Sequence, residues 1–481
     1  MNKPKAPVFL VVLLLMGGGC ASVPREAGFR DVQKQVAGRE GHKIHWNRGT
    51  PEDEEVFRKV QELLKGELSA EAAVQVAILS NPSLQAIYED LGVSQADLVQ
   101  AGLLRNPALF SAAGFPNRSP SGVGLKFEFT LEFLNLLMIP ARKRLAEERF
   151  EETKARVADR ILRQAAETRR AYYEALGAQQ TAQICGLIAE AAAASFDLAR
   201  RMHAAGNLND LGLARAQNQL EQVRVALAKN ETAFRGKREK LNRLMGLWGA
   251  ETTWRLPPRL PDLPAEEVSL EGLESIAVAN RLDLAAARKE LEIAARTLGI
   301  SREWRWFLSA EVGAGGERDT DGQWVIGPSL SLELPLFDQH QARIARHEAL
   351  LRKEVAKITA LAIDIRSEVR ELRDRLIYYR RLADHYRKTV IPLRERIVEL
   401  TQREFNYMLV GAFDLITAKQ QEYDAYLDYI EAVSGYWATR ADLQRALGGR
   451  LPGQTGTQVS PSTPDPAGKE PAAVYRDSHP H

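Results

Sequence analysis

Little in this chain could hold it together covalently: 481 residues include only two cysteines, Cys20 and Cys185. Their contexts are too unlike for a mutual disulfide, and Cys185 reads as a small buried thiol in a helical pattern. Aromatic residues make up 7% of the chain against 27% charged residues. That balance disfavours a wide compact core and favours long solvated helices. Neither sign of charge dominates. The formal net charge is +2, and Lys3 and Lys5 lie in a segment expected to be removed. A near-neutral mature chain lacks the basic surface that displaces counterions, so no nucleic-acid partner is expected.

Catalytic and metal-binding signatures are equally scarce. There is no HExxH, GxSxG, P-loop or CxxC, and Gly313-Ala314-Gly315-Gly316 is followed by neither a helix nor a P-loop lysine. His203, His340, His347 and His385 are scattered among charged helix positions, and the terminal His479 and His481 sit in a solvated tail. No enzyme, catalytic residue, metal site or dissociable cofactor is expected. Past the N-terminus no window holds ~18 uninterrupted apolar residues, so no transmembrane helix is expected.

What is present begins at the N-terminus. Lys3 and Lys5 precede an apolar run from Val8 to Met16, then Gly17-Gly18-Gly19-Cys20-Ala21-Ser22. This is a secretory signal over 1–19. A cysteine directly after small residues resembles a bacterial lipobox, with Cys20 as the acylated first residue, although Gly17 stands where Leu is usual. Ala21 after the cysteine fits outer-membrane sorting. The alternatives are an ordinary signal peptide cut near Gly19 or an uncut anchor.

The remainder is written twice. Asn81-Pro82-Ser83-Leu84 has its counterpart in Arg281-Leu282-Asp283-Leu284. Each opens a helix, a small-residue stretch, an alternating stretch, a very long charged helix, a glycine-centred break at Gly206 or Gly411, and a closing helix. The expected organisation is a linker over 20–66, a first repeat over 67–250, a Pro-rich linker over 251–264, a second repeat over 265–450 and a disordered tail over 451–481.

From 141 to 204 proline is absent and glycine occurs only at Gly177 and Gly186. Such a run predicts a rod of roughly 95 Å. Residues 339–409 predict a second, interrupted only by Pro392, which is expected to kink it. Leu361, Ile365, Val369, Leu372, Leu376 and Tyr379 form an apolar stripe at helical spacing, which only other long helices can cover. The alternating stretch 125–133 places Leu125, Phe127, Phe129, Leu131 and Phe133 on one face and Lys126, Glu128, Thr130 and Glu132 on the other. In 329–336, Leu330, Leu332 and Leu334 oppose Ser329, Ser331 and Glu333. An apolar face toward lipid and a polar face toward a wet lumen suit a membrane barrel. Residues 115–124 and 313–324 then read as hairpin loops. Taken singly, each strand could equally be half-buried in a soluble sheet. Four strands cannot close a barrel, so the membrane reading demands an oligomer, with a dimer giving about eight strands and a trimer about twelve.

Leu334-Pro335-Leu336-Phe337-Asp338, Asp210-Leu211-Gly212-Leu213-Ala214-Arg215-Ala216-Gln217 and Val410-Gly411-Ala412-Phe413-Asp414-Leu415-Ile416-Thr417-Ala418 are similar to the strand–helix junction and the two periplasmic turns of TolC-type outer-membrane efflux proteins. The resemblance covers roughly 68–449. It implies a mainly α fold with a small β part: a long α-helical barrel of coiled-coil-like hairpins plus four transmembrane strands per subunit in a shared trimeric β-barrel. It further implies a Gram-negative outer-membrane homotrimer extending into the periplasm, a passive exit duct that docks a periplasmic adaptor and, through it, an inner-membrane pump. By the same resemblance Gly206 and Gly411 mark the adaptor-docking tips and Asp210 and Asp414 a gate; both aspartates also read as helix caps. The family's second acidic gate position is Thr417, and both turns are shorter than in the best-known member. The competing reading is a periplasmic coiled-coil lipoprotein without a pore.

Overall fold

The structure is a computed structural model that describes residues 22–24, 26, 28–117, 122–267, 269–306 and 310–452. The signal segment, Cys20 and almost all of the expected tail lie outside the described residues.

The chain order is α1 (Phe29–Glu40), α2 (Pro51–Leu64), α3 (Ala70–Ser80), α4 (Pro82–Gly102), β1 (Ala108–Gly114), β2 (Gly124–Glu132), α5 (Phe133–Ala204) and α6 (Asp210–Met245). After a 3₁₀ turn at Gly249–Thr253 come α7 (Leu273–Asn280), α8 (Leu282–Glu303), β3 (Ala310–Arg318), β4 (Trp324–Leu332), α9 (Gln341–His385), α10 (Ile391–Asn406) and α11 (Ala412–Ala446). The twofold repeat is therefore real, with each opening helix split in two. Asn81 and Arg281 are the break points, both extended, with φ −68° at each. Pro82 forces its predecessor out of the helical region, and the Asn81 side chain accepts from Ser83 N at 2.8 Å. Its amide donates to Leu244 O at 2.7 Å, closing the end of α6. Arg281, buried at the matching place, instead pairs with Asp283 and Glu368.

The 72 residues of α5 make a rod of about 108 Å. Its start at Phe133 corrects the expected end of the preceding strand: Glu132↔Glu311 is the last pair of the ladder, and apolar spacing changes there from two to three or four. Pro140 lies inside α5, not at its head. This helix also holds an 18-residue window apolar enough by composition to cross a bilayer, mostly unburied within the single chain. The second rod is not continuous. Five π-helical residues, Tyr386–Val390, separate α9 from α10. Pro392 has no N–H and its ring crowds the Lys388 carbonyl, and the widened turn absorbs both.

The core gathers where both repeats meet, at mid-length of the rods. Leu68, Trp254, Leu241, Met245, Ala175 and Leu176 pack in one cluster, with Tyr172 Oη donating to Leu68 O at 2.8 Å. Two expected linkers are built into this body. Within 20–66, α1 and α2 are folded, and Val32, Val36, Ile44 and Trp46 are buried against Tyr88 and Ile161. Arg39 Nη1 donates to Asn280 O and Gly448 O, 2.7 and 3.0 Å away in the other repeat. Within 251–264, the chain is a strap whose polar backbone is satisfied by the rods: Gln179 donates to Pro257 O, Leu260 N to Gln180, and Trp437 to Pro261 O.

Candidate functional site

The sheet lies at one end of the helices, in the order β1-β2-β3-β4, antiparallel throughout. Directly paired residues share a face, so the register assigns every side chain. Leu109 pairs with Phe129, Phe129 with Ala314 and Ala314 with Pro328. Phe127 continues to Gly316 and Ile326, and Leu131 to Val312 and Leu330. That face carries Leu109 on β1, Leu125, Phe127, Phe129 and Leu131 on β2, Val312 on β3 and Ile326, Leu330 and Leu332 on β4, with Arg318 beside Leu125 and Trp324 at the hairpin end. The other carries Lys126, Glu128, Thr130, Glu132, Glu311, Glu317, Ser329 and Ser331, with Phe110 and Val325 the large apolar side chains among them. Ser329 Oγ donates to Glu128 Oε1 at 3.3 Å, and Arg105 grips both oxygens of Glu132 at 3.0 and 2.8 Å. The apolar face is bare: Phe127 and Phe129 are 44% and 49% exposed, Leu330 66%.

Three residues expected on strands are not there. Phe133 begins α5, and Glu333 and Leu334 follow β4, whose last described pair is Ala310↔Leu332. The strand instead begins at Trp324, reaching back through Gly327 and Pro328, so most of 313–324 is β-structure and not a loop. Within the single chain Pro328 is tolerated because β4 is an edge.

At the far end, each hairpin turns by a Schellman motif. At the first tip, Gly206 N donates to His203 O and Asn207 N to Met202 O, both at 2.9 Å. At the second, Met408 N donates to Phe405 O and Leu409 N to Glu404 O, again at 2.9 Å. The left-handed residues are Gly206 (φ 77°) and Met408 (φ 58°). Gly411 is thus not the counterpart of Gly206: it has φ −81° and is the N-cap of α11. The two aspartates are likewise unequal, and neither is an N-cap. Asn209 caps α6 by accepting from Gly212 N at 2.8 Å; Asp210 follows it, fully exposed, 3.5 Å from His203 Nε2. Asp414 lies in the first turn of α11 and accepts from Gly411 N at 2.9 Å. His203, one of the histidines scattered among charged helix positions, closes its turn by a 2.9 Å contact from Nδ1 to Leu208 O; only its place one turn before a glycine hinted at this. Tyr407, Met408 and Leu409 are left exposed at the second tip. Among the described residues no group of His, Cys, Asp and Glu could hold a metal ion.

A one-sided sheet with two open edges, carried on rods of about 100 Å, defines a subunit of an envelope-spanning membrane channel. Residues 73–247 match the family model described as Outer membrane efflux protein. The cobalt-zinc-cadmium resistance protein CzcC of Cupriavidus metallidurans is 25% identical over 396 residues, 80% of this chain and 90% of that one. The Campylobacter jejuni CmeC outer membrane channel has the same fold, with a TM-score of 0.69 over 95% of both chains at 14% identity. The open-state MtrE outer membrane channel of Neisseria gonorrhoeae gives 0.63 over 80% of this chain and 90% of that one, at 18% identity. Over residues 73–247 the chain matches the outer membrane efflux proteins, and its fold is that of their TolC-type channels. It is a passive channel and not an enzyme, and it sits in the Gram-negative outer membrane with its helices in the periplasm.

Proposed function

We propose that three copies close their sheets into one twelve-stranded barrel above a helical tunnel, forming the exit duct of a tripartite efflux system. The observation that carries this is the pair of open edges. Strand directions alternate from β1 to β4, so β4 of one copy meets β1 of the next in the antiparallel sense. Such a head-to-tail contact closes as a ring and removes edges that lipid cannot satisfy. Phe127, Phe129, Leu330 and Leu332 then face lipid, and Lys126, Glu128, Ser329 and Ser331 face water. Acylation of Cys20 adds a second hold on the membrane. The tips at Gly206 and Gly411 dock a periplasmic adaptor, which links the duct to an inner-membrane pump. Asp210 and Asp414 narrow the tunnel at that end. Cargo of the class named for CzcC, divalent transition-metal ions, is the substrate reading this relative supports.

Planar-bilayer conductance of the purified oligomer tests the duct, and Asp210→Ala with Asp414→Ala is expected to raise the resting conductance. An oligomer that conducts nothing even in this variant would leave the pore-free coiled-coil reading standing. Loss of zinc, cobalt and cadmium tolerance on deletion of the gene tests the cargo; unchanged tolerance overturns it.

A further inference from the structure

Just below the sheet, at all four strand–helix junctions, apolar surface gives way to positive charge, paired with a carboxylate only at the first, where Arg105 meets Glu132. On α5, Leu136 and Leu137 are 45% and 50% exposed, and Lys143 and Arg144 are exposed seven residues further along. Seven residues are two turns, so the same face of the helix changes from hydrocarbon to cation over about 10 Å. Leu334, Leu336 and Phe337 are bare before α9, Phe337 at 93%, and Arg343 and Arg346 follow, exposed, one turn apart. Trp306 is exposed at the end of α8, with the Arg305 guanidinium 4.5 Å from its ring centre. Leu103 and Leu104 precede Arg105 at the first junction.

These four junctions form one collar. His340 Nδ1 lies 3.1 Å from Arg305 O, Arg302 pairs with Glu348, and Arg105 joins the start of β1 to the end of β2. Among the described residues Arg142, Lys143, Arg144, Arg305, Arg343 and Arg346 form no ion pair with a carboxylate. Opposing them nearby are Glu147, Glu303, Glu333 and Asp338.

Heights agree with a lipid boundary. A nine-residue strand tilted by about 40° rises roughly 23 Å. The hydrocarbon layer is about 30 Å thick, so it reaches past the strand ends over Phe133, Leu136 and Leu137. The cations then stand at the depth of the phosphate groups. We propose that this collar binds anionic phospholipid headgroups of the periplasmic leaflet, using Lys143, Arg144, Arg343 and Arg346 as its main contacts. Charge complementarity selects the occupant, since phosphate is the anion at that depth and basic side chains beside a membrane surface favour anionic lipid. The proposal rests on the membrane orientation given above.

The test is native mass spectrometry of the full-length oligomer exchanged from mixed phosphatidylglycerol and phosphatidylcholine vesicles. Wild type is expected to retain phosphatidylglycerol preferentially. Lys143→Gln with Arg144→Gln should lower that retention about five-fold for each charge removed, and adding Arg343→Gln and Arg346→Gln should lower it further. Lys143→Arg with Arg144→Lys should retain it, as should Lys229→Gln with Arg259→Gln, far from the collar. Equal retention by wild type and the folded double variant overturns the collar. A spin label at Leu330→Cys separates the two failures: relaxation by oxygen keeps the membrane orientation, whereas relaxation by a water-soluble nickel complex overturns that orientation and the collar with it.

Discussion

The two repeats solve the same geometric problems with different chemistry. In the first, the long rod is one unbroken helix, its tip turns on a glycine, and the buried break at Asn81 is satisfied by an amide. In the second, the rod is parted by a π-turn ahead of Pro392, its tip turns on Met408, and the break at Arg281 is satisfied by ions. Architecture is kept because both rods must cover each other's apolar stripes. Local means are free to differ because each needs only to satisfy its own backbone groups.

The sharpest way to break the comparison is at the buried charges. Arg169 lies on α5 and donates to Glu40 Oε2 and Glu71 Oε2, each at 3.0 Å, holding α1 and α3 to the rod. Arg169→Ala leaves the almost fully enclosed Glu40 carboxylate unpaired, at a cost of about 3–5 kcal/mol. Thermal melting should show a larger loss than for Arg281→Ala, whose partner Glu368 keeps Arg445. Equal losses would mean that the two clusters do the same work.

Acid tests the ion-paired carboxylates of the first repeat next. Burial by itself would raise the Glu71 and Glu174 carboxyls, but hydrogen bonds from His42 and Arg169 to the first, and from Lys237, Arg170 and Lys240 to the second, lower each to about 2. A carboxyl depressed on folding contributes stability that is present above its ordinary value. That stability is lost as pH falls from about 4.5 toward 2. Melting temperature should therefore drop across that window, and Glu174→Gln should flatten the drop. A slope unchanged by Glu174→Gln would remove this carboxylate from the account.

The smallest effects belong to the tips. A left-handed backbone costs a side-chain-bearing residue about 1–2 kcal/mol, so Gly206→Ala should destabilise its hairpin and Met408→Gly should stabilise the other by about 1 kcal/mol. Hydrogen exchange at the two turns reads both signs. A destabilising Met408→Gly would show that the exposed methionine makes contacts worth more than its strain.

Much of the fold was legible because its signals are periodic. Spacing of three and four identified the rods, and spacing of two identified β2 and the faces of Phe127 and Glu128. Harder to read were the ends. Gly327 and Pro328 look like a break in β4, yet pairing to Gly315 and Ala314 carries the strand through them. Phe133 continues the alternation of β2 by type, yet the ladder to β3 closes at Glu132↔Glu311 and Phe133 opens α5. At the second tip the eye goes to Gly411, whereas Met408 N and Leu409 N find the carbonyls that close the helix. The segments 20–66 and 251–264 look like linkers by composition, and only contacts with distant rods reveal them as packed.

Sequence alone determined that this chain is two copies of one plan, with rods too long for a globule and strands too few for a barrel. Those are counts and periods, which depend on residues near one another in the chain. The tertiary structure decided where strands end, which residue turns each tip, and that cations from four separate junctions share one level below the sheet. The strand ends and the shared level depend on partners far along the chain, as Arg39 depends on Gly448, and no local pattern encodes a partner at that distance; the tips close locally, but on Met408 N and Leu409 N where composition points to Gly411.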